Sequence, residues 1–429
     1  MNNSTFNSLG LGAALCRALD GMGYDTPTPI QAQAIPELLS GRDLLGIAQT
    51  GTGKTAAFAL PILEQLVSEG VTAPSKRPVV LVLSPTRELA AQIRDEISSY
   101  SRHTKIRHAC IFGGVNQNPQ VKVLARGVEI LVATPGRLLD LAANRFVDLS
   151  GITHLVLDEA DRLLDMGFIR DVKKIVRMLP RERQSLLFSA TMPKEVASLA
   201  AELLDRPVRI DVSPDTITVE EIEQGMLVVG NDRKQAVLHK MLHDPEVTRA
   251  IVFTRTKHGA NRVAKKLDRA GIAAEAIHGN KSQNARTRAL ATFKSGESWV
   301  LVATDIAARG IDIDGITHVI NFELPHEPES YVHRIGRTAR AGASGVAWSL
   351  VDPSEMKRMK AIERLTRVRP RVLAFDIPSA AEPREREAGR APGPDRSRYA
   401  GADASGRGGR DERARQQGGR RRRSRRRAA

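Results

Sequence analysis

The sequence predicts an α/β protein: two parallel-sheet domains with helices on both faces, followed by a disordered Arg- and Gly-rich C-terminal tail. Three observations lead there. Short β-branched apolar runs alternate with amphipathic stretches over the first 370 residues, the pattern of parallel strands joined by crossover helices. The chain has 429 residues, 41% of them hydrophobic, which is enough for two cores at roughly 100–200 residues per domain. Beyond Phe375 large apolar residues almost vanish, and Arg, Gly, Pro and Ala take over.

In chain order, strands are expected over 43–48, 79–83, 130–133, 155–157 and 186–188, with helical segments such as 54–67 and 88–100 between them. The pattern weakens from Val208 to Gln224, where Val212-Ser213-Pro214-Asp215 and an acidic stretch read as a linker. A second set of strands is expected over 251–253, 300–303 and 319–321, with helices over 261–270 and 284–293. The chain therefore divides into a first domain over 1–209, a linker over 210–224, a second domain over 225–376 and a tail over 377–429. The tail cannot bury enough apolar surface to offset its ordering entropy, hence the expected disorder. No short internal repeat is visible. Ligands of open parallel sheets bind at the carboxyl ends of the strands, so chemistry is expected just after each strand.

Composition narrows the function classes. Cys16 and Cys110 are far apart and offer neither a disulfide framework nor metal-ligand spacing, as expected for reduced thiols of a cytoplasmic protein. The opening Met1-Asn2-Asn3-Ser4-Thr5-Phe6 has no basic segment leading into an apolar run, so no signal peptide is expected. No run of 18 apolar residues occurs, so no membrane span is expected. The net charge of +16 and pI near 10.2 favour a polyanionic partner. From Ala381 onward 16 Arg face 7 Asp plus Glu, so the tail holds +9 of the excess and the folded part +7.

Ala48-Gln49-Thr50-Gly51-Thr52-Gly53-Lys54-Thr55 follows an expected strand and opens an expected helix. Gly51 and Gly53 let the backbone curl so that its N–H groups face a phosphate, and the helix N-terminus adds its positive end. Lys54 can reach the β- and γ-phosphates, and the Thr55 hydroxyl can hold Mg²⁺. Ala48 replaces the Gly of the strict pattern, which alters the match but not the mechanism. Such a loop needs a metal partner, and Asp158-Glu159-Ala160-Asp161 directly follows the apolar Leu155-Val156-Leu157. Asp158 is the candidate Mg²⁺ holder, partly through water, and Glu159 the candidate base for the attacking water. Taken alone, those acidic residues would read as a helix N-terminal cap.

Asp158-Glu159-Ala160-Asp161 resembles the signature of the DEAD-box RNA helicases, and the likeness runs from about Phe6 to Arg340 in that family's motif order. It implies two tandem RecA-like domains, ATP and Mg²⁺ as cofactors, and RNA as partner. Gly23-Tyr24-Asp25-Thr26-Pro27-Thr28-Pro29-Ile30-Gln31 resembles the family's adenine-reading motif, with Gln31 on the base edge, Phe6 as the upstream aromatic and Tyr24 beside them. Pro85-Thr86-Arg87, Gly113-Gly114 and Thr134-Pro135-Gly136-Arg137 resemble its RNA-contacting segments. Backbone and sugar contacts from such residues carry little base preference. Ser189-Ala190-Thr191 resembles the motif coupling ATP state to RNA strain.

In the second domain the resemblance assigns Gln283, Arg286 and Thr304 to RNA and Asp312 to the ribose of ATP. His333-Arg334-Ile335-Gly336-Arg337-Thr338-Ala339-Arg340 resembles the arginine-finger motif, with Arg337 and Arg340 at the γ-phosphate and His333 in coupling. The family usually has Gly where this chain has Ala339. Thr254–Asn261 text, His278-Gly279-Asn280-Lys281-Ser282-Gln283 and the Arg-rich tail look most like the bacterial RhlE type. The expected function is local, ATP-coupled unwinding of short RNA duplexes or remodelling of RNA–protein complexes by closure of two domains. Ribosome-assembly or RNA-decay proteins are candidate partners, and a membrane is not. Two other readings compete: an ATP-gated RNA scaffold or annealing chaperone, and, more weakly, a DNA helicase.

Overall fold

The computed structural model describes residues 5–49, 51–212, 222–308 (of Ile306 the backbone only), 313, 315–339 and 344–374, all within one compact unit over 1–380. Seven strands form the first sheet: β1 (Leu44–Ile47), β2 (Val80–Leu83), β3 (His108–Ile111), β4 (Ile130–Ala133), β5 (His154–Leu157), β6 (Gln184–Ser189) and β7 (Val208–Asp211). Seven more form the second: β8 (Ile222–Val228), β9 (Ala250–Phe253), β10 (Ala274–Ile277), β11 (Val300–Ala303), β12 (His318–Asn321), β13 (Gly345–Val351) and β14 (Arg371–Val372). Every pairing is parallel. The two tandem RecA-like domains and their fold class are as expected.

The strand orders are β3-β4-β2-β5-β6-β1-β7 and β10-β11-β9-β12-β13-β8-β14. Put β8 for β1 and count on, and the second order reproduces the first. The chain is thus a duplication at the level of topology, which a search for short repeats does not reveal. The central strands are buried at every position, β2 as Val-Leu-Val-Leu and β4 as Ile-Leu-Val-Ala, because helices cover both faces.

The expected linker over 210–224 needs correction at both ends. Ile210 and Asp211 pair with Gly46 and Ile47 of β1, and residues 222–224 pair with Gly345, Val346 and Ala347 of β13. Backbone pairing recruits these polar stretches even though their side chains show no strand pattern. Residues 213–221 of that linker, and the tail over 377–429, lie outside the described residues.

One packing contact seats the phosphate loop. The helix Lys54–Ser68 is buried at every residue from Ala56 to Leu63, so it lies within the domain rather than on it. Its Phe58 ring stands 5.6 Å from that of Phe188 on β6. Opposite Phe188 in the ladder is Gly46, where a Cβ would come within 2.6 Å of the ring. A glycine inside β1 makes room for the aromatic pair that fixes the helix behind the loop.

At the other end of the same helix, Gln65 Oε1 meets His154 Nε2 at 2.9 Å, and Gln65 Nε2 donates to the Leu38 carbonyl at 3.0 Å. Burial lowers the His154 pKa to about 4. The unfolded chain takes up that proton near pH 6.5. Its stabilising share is therefore complete above pH 6.5 and is lost as pH falls toward 4. We expect the unfolding free energy from urea titrations to fall across that window, by roughly 3 kcal/mol from this residue alone. A His154→Gln variant measured alongside should show a visibly shallower fall; parallel curves would contradict the assignment. No described helix is long and apolar enough to cross a membrane.

Candidate active site and nucleic-acid interface

Parallel pairing brings three candidate segments out side by side. β5, β6 and β1 are consecutive in the sheet, and their carboxyl ends lead into Asp158, Thr191 and the loop from Ala48. The ladder runs one residue beyond the strands: Ala48 N–H donates to Ser189 O at 3.0 Å, and Asp158 N–H to Leu83 O at 3.0 Å.

Gly51 and Gly53 have φ of +89° and +90°, which a Cβ would oppose. The Thr52 hydroxyl donates to the Gln49 carbonyl at 2.8 Å, and the Thr28 hydroxyl to the Thr52 carbonyl at 2.8 Å. Lys54 is buried and its Nζ donates to Ala48 O at 2.9 Å, while Thr55 is half-buried. Gln31 joins this group. Its Oε1 accepts from Thr28 N–H at 2.9 Å and its Nε2 donates to Gly53 O at 3.1 Å. One amide hydrogen and one oxygen lone pair are then left over, which is what an adenine edge needs. Phe6 is buried in a short turn against the helix Pro29–Leu39 that carries Gln31. The exposed Tyr24 ring packs 6.4 Å from that of Tyr100 on the helix Arg87–Tyr100. Thr50 lies outside the described residues.

Asp158 and Glu159 are 3% and 2% exposed. Burial pushes the Asp158 carboxyl above the usual carboxylate range, Lys54 draws it back and Glu159 adds to the rise. A buried carboxylate short of positive charge is a fitting seat for a divalent cation. Glu159 adopts φ +53°, a left-handed conformation that costs a residue with a Cβ on the order of 1–3 kcal/mol. It occupies the N-cap of the helix Ala160–Asp165 yet makes no capping bond there. Its carboxylate instead accepts from Arg162 NH1 at 2.5 Å, so the Glu159 side chain does not serve as the helix cap.

Asp161 supplies the link to β6. Its Oδ2 accepts from the Thr191 amide and hydroxyl at 2.9 and 3.0 Å, and its own N–H donates to Ser189 Oγ at 3.1 Å. Ser189, Thr191 and the acidic segment therefore form one hydrogen-bonded unit. His333 of the second domain lines a crevice with Asp161, Asp165 and Thr191.

β4, β2 and β5 are likewise adjacent, and β3 lies beside β4, so the expected RNA segments leave the same edge of the sheet. Pro85 is buried, and Thr86 caps its helix by accepting from Leu89 N–H at 3.2 Å. Thr134 takes the N-cap of the helix Pro135–Ala143, and Arg137 NH2 donates to Val115 O at 3.1 Å. Gly114 has φ +78°, and a Cβ there would strike the Arg87 guanidinium. Burial lowers the Arg87 pKa, Glu88 opposes this, and the nearby charges of Arg286 and Arg137 add to it.

Three of these residues meet across the domains. Arg87 NH1 donates to Gln283 Oε1 at 3.2 Å. Gln283 Nε2 and Arg286 Nε both donate to Glu88 Oε1, at 2.9 and 2.8 Å. Thr304 follows β11, half-buried, with its carbonyl accepting from Ala307 and Ala308 N–H. Arg337 is buried, donates through Nε to His333 O at 3.2 Å, and lines a narrow pocket with Arg162, Asp305, His333 and Arg334. The acidic segment of one domain and the arginine motif of the other thus border the same space. Asp312 and Arg340 lie outside the described residues.

Sequence reasoning passed over four participants. Arg162 was legible as the i+3 partner of Glu159. Thr28 and Glu88 gave no local signal, since their partners are 24 and about 200 residues away. Arg334 is 1% exposed, chelated by Asp305 at 2.5 and 2.8 Å and held over the Phe253 ring at 4.9 Å. It reads in sequence as one more arginine of a basic motif.

Two RecA-like domains with a phosphate loop, a buried acidic pair and, in the same crevice region, the arginine motif of the second domain define a nucleotide-hydrolysing motor. Comparison with known proteins narrows this. The chain matches the DEAD/DEAH box helicase family over residues 28–199 and the helicase conserved C-terminal domain over 233–342. It is 44% identical over 364 residues to the DEAD-box ATP-dependent RNA helicase CshA of Bacillus cereus, covering 85% of this chain and 68% of that protein. CshA of Bacillus subtilis is also 44% identical, with 85% and 72% covered. The S. cerevisiae Dbp5 structure bound to RNA and ADP BeF3 aligns with a TM-score of 0.76 at 32% identity, over 86% of this chain and 95% of that one. The chain belongs to the DEAD-box ATP-dependent RNA helicases, and it is an ATP-hydrolysing enzyme.

Ala339, where the family text usually has Gly, adopts φ +53°. The methyl group costs roughly 1 kcal/mol in that conformation, partly offset by the greater unfolded-state freedom of glycine. Ala339→Gly should raise the unfolding free energy by about 0.5 kcal/mol, seen as a higher urea midpoint at an unchanged m-value; a lower midpoint would show that the residue is unstrained.

Proposed function

We propose that ATP and RNA together hold the two domains closed in this enzyme, and that hydrolysis needs this closure. The carrying observation is that both sets of candidate residues border one interface. Glu88, Gln283 and Arg286 bond across it on the RNA side. Arg162 and Arg337 line one pocket on the nucleotide side.

ATP sits with its phosphates on the loop from Ala48 to Thr55 and its base at Gln31 and Phe6. Thr55 and Asp158 are suited to hold Mg²⁺, which would neutralise phosphate charge. Glu159, held by Arg162, orients water. Arg337, with Arg340, meets the γ-phosphate from the second domain, an arrangement worth roughly 10³–10⁵ in rate for an arginine finger. RNA runs along Thr86, Arg87, Gly114, Thr134 and Arg137, then Gln283, Arg286 and Thr304. Contact is mainly to backbone and 2′-hydroxyls. Because each ligand favours the closed form, ATP and RNA strengthen each other's binding equally. The RNA-bound Dbp5 neighbour supports this placement.

Within the family, the segment from Thr254 to Asn261 and the Arg-rich tail favour an RhlE-type enzyme, whereas the relatives compared above carry the CshA name. A cytoplasmic setting fits the two free cysteines. Protein partners from ribosome assembly or RNA decay belong to the same reading.

Glu159→Gln should bind ATP and RNA together while turnover falls by roughly 10²–10⁴; wild-type turnover would remove Glu159 from catalysis. Lys54→Ala should lose ATPase activity by at least about 100-fold, as for other preorganised transition-state donors. Unwinding of a short duplex by the full chain discriminates the other readings. RNA-stimulated ATPase without strand separation would favour the scaffold, and equal stimulation by DNA would favour a DNA helicase.

A further inference from the structure

The helix Lys257–Arg269 follows β9 and buries Gly259, Ala260, Val263, Ala264 and Leu267 against its sheet. Its opposite face is open. His258, Arg262, Lys265 and Arg269 are exposed and recur at i, i+4, i+7 and i+11, so they form one straight stripe, with Lys266 on its flank. Asp268, the one acidic residue of the helix, lies on the stripe's other flank, three residues after Lys265, and no ion pair among the described residues joins it to the stripe.

Some surface cations of the protein are paired: Arg42 with Glu37, Lys173 with Glu202, Lys174 with Asp171. Arg262, Lys265, Lys266 and Arg269 have no carboxylate partner among the described residues. Uncompensated positive charge on a folded helix is self-repulsive, and a polyanion relieves it.

The stripe also starts at the RNA cleft. The helix N-terminus, capped by Thr256 accepting from Gly259 N–H at 3.0 Å, opens at the carboxyl end of β9. His278, after β10, meets Asn261 at 2.9 Å. Burial, then the positive charges of Lys281, Arg286, Lys257 and His258, lower the His278 pKa. The same field therefore includes Arg286 of the cleft and the first turn of the helix. From His258 to Arg269 the stripe spans about 16 Å at 1.5 Å per residue, roughly four or five phosphates at 3.4 Å per strand residue.

We infer that the exposed face of the helix Lys257–Arg269 is a second RNA-backbone site, which holds the RNA arm leaving the cleft. The inference rests on the RNA reading given above and deepens it. The cleft binds a short single-stranded segment. The stripe engages only RNA long enough to reach beyond it, without base preference, since Arg and Lys here face phosphates. Its contribution is to affinity for long substrates and not to the hydrolytic step.

The test uses the full chain carrying Arg262→Gln, Lys265→Gln and Arg269→Gln together, three exposed changes that keep good helix formers in place. Binding of labelled oligouridylates of about 8 and about 25 nucleotides, lengths chosen within and beyond a typical single-strand site, is measured with a non-hydrolysable ATP analogue across a potassium chloride series. For the longer RNA, affinity should fall about tenfold or more near 0.1 M salt, and the log–log salt slope should shrink by about 2, at roughly 0.7 per lost phosphate contact. Affinity for the shorter RNA, and ATPase stimulation at its saturation, should match the wild-type chain. The tail is present in both proteins, so it does not enter the difference. An unchanged affinity and slope with the longer RNA overturns the second site. So does an equal loss with both lengths, which would mark a general field and not an extended track. If neither RNA stimulates the wild-type chain, the RNA reading itself fails, a result separable from the other two.

Discussion

Parallel pairing is the constraint from which the rest of the molecule follows. A parallel sheet places every carboxyl end on one edge, so segments far apart in sequence become neighbours without any contact of their own to direct them. Ala48, Asp158 and Thr191 sit together because β1, β6 and β5 are consecutive, and the ladder continues one residue past the strands to fix their first amides. The duplication of that topology supplies a second edge of the same kind. Two such edges facing each other create a site that neither domain holds alone.

What lies between the edges is charge, and most of it is buried. Glu159 is held by Arg162, Asp161 by Thr191, Asp305 by Arg334, and Glu88 by Arg286 and Gln283. A buried pair adds little net stability, but removing one partner strands the other at a cost of several kcal/mol. Such pairs favour discrete arrangements over gradual ones, which suits an enzyme that must be either closed or open. The strained backbone at Glu159 belongs to the same economy: the left-handed turn directs its carboxylate toward Arg162 instead of its own helix.

Much of this was legible in the sequence, and the part that was not has a physical pattern. All eight expected strands coincide with observed ones, to within a residue or two at their ends, because runs such as Val80–Leu83 and Val300–Ala303 are apolar at every residue. The strands that went unread include both edges of each sheet, β3, β7, β10 and β14, where one face or both meet water and the residues read as His-Ala-Cys-Ile, Val-Arg-Ile-Asp, Ala-Glu-Ala-Ile and Arg-Val. The misplaced ends of the linker have the same origin, since β7 is an edge strand and β8 carries Glu223, Gln224 and Gly225. At the site, motif text located the loop and the acidic segment. It could not locate Glu88 or Thr28, whose roles depend on partners brought in by the fold, nor foresee that the Tyr24 ring packs beside Tyr100.

Glu88 carries the consequence furthest. A carboxylate is a poor neighbour for RNA phosphate, yet this one is buried among Arg87, Gln283 and Arg286. It spends part of their positive field on holding the domains together. Arg286 engages it through Nε, and a guanidinium fork is able to present its other edge to a phosphate at the same time. RNA then adds to an existing cross-domain bond and need not replace it. In the closure proposed above, this protein contact would set the register of the two domains, and RNA would supply the free energy that keeps them in it.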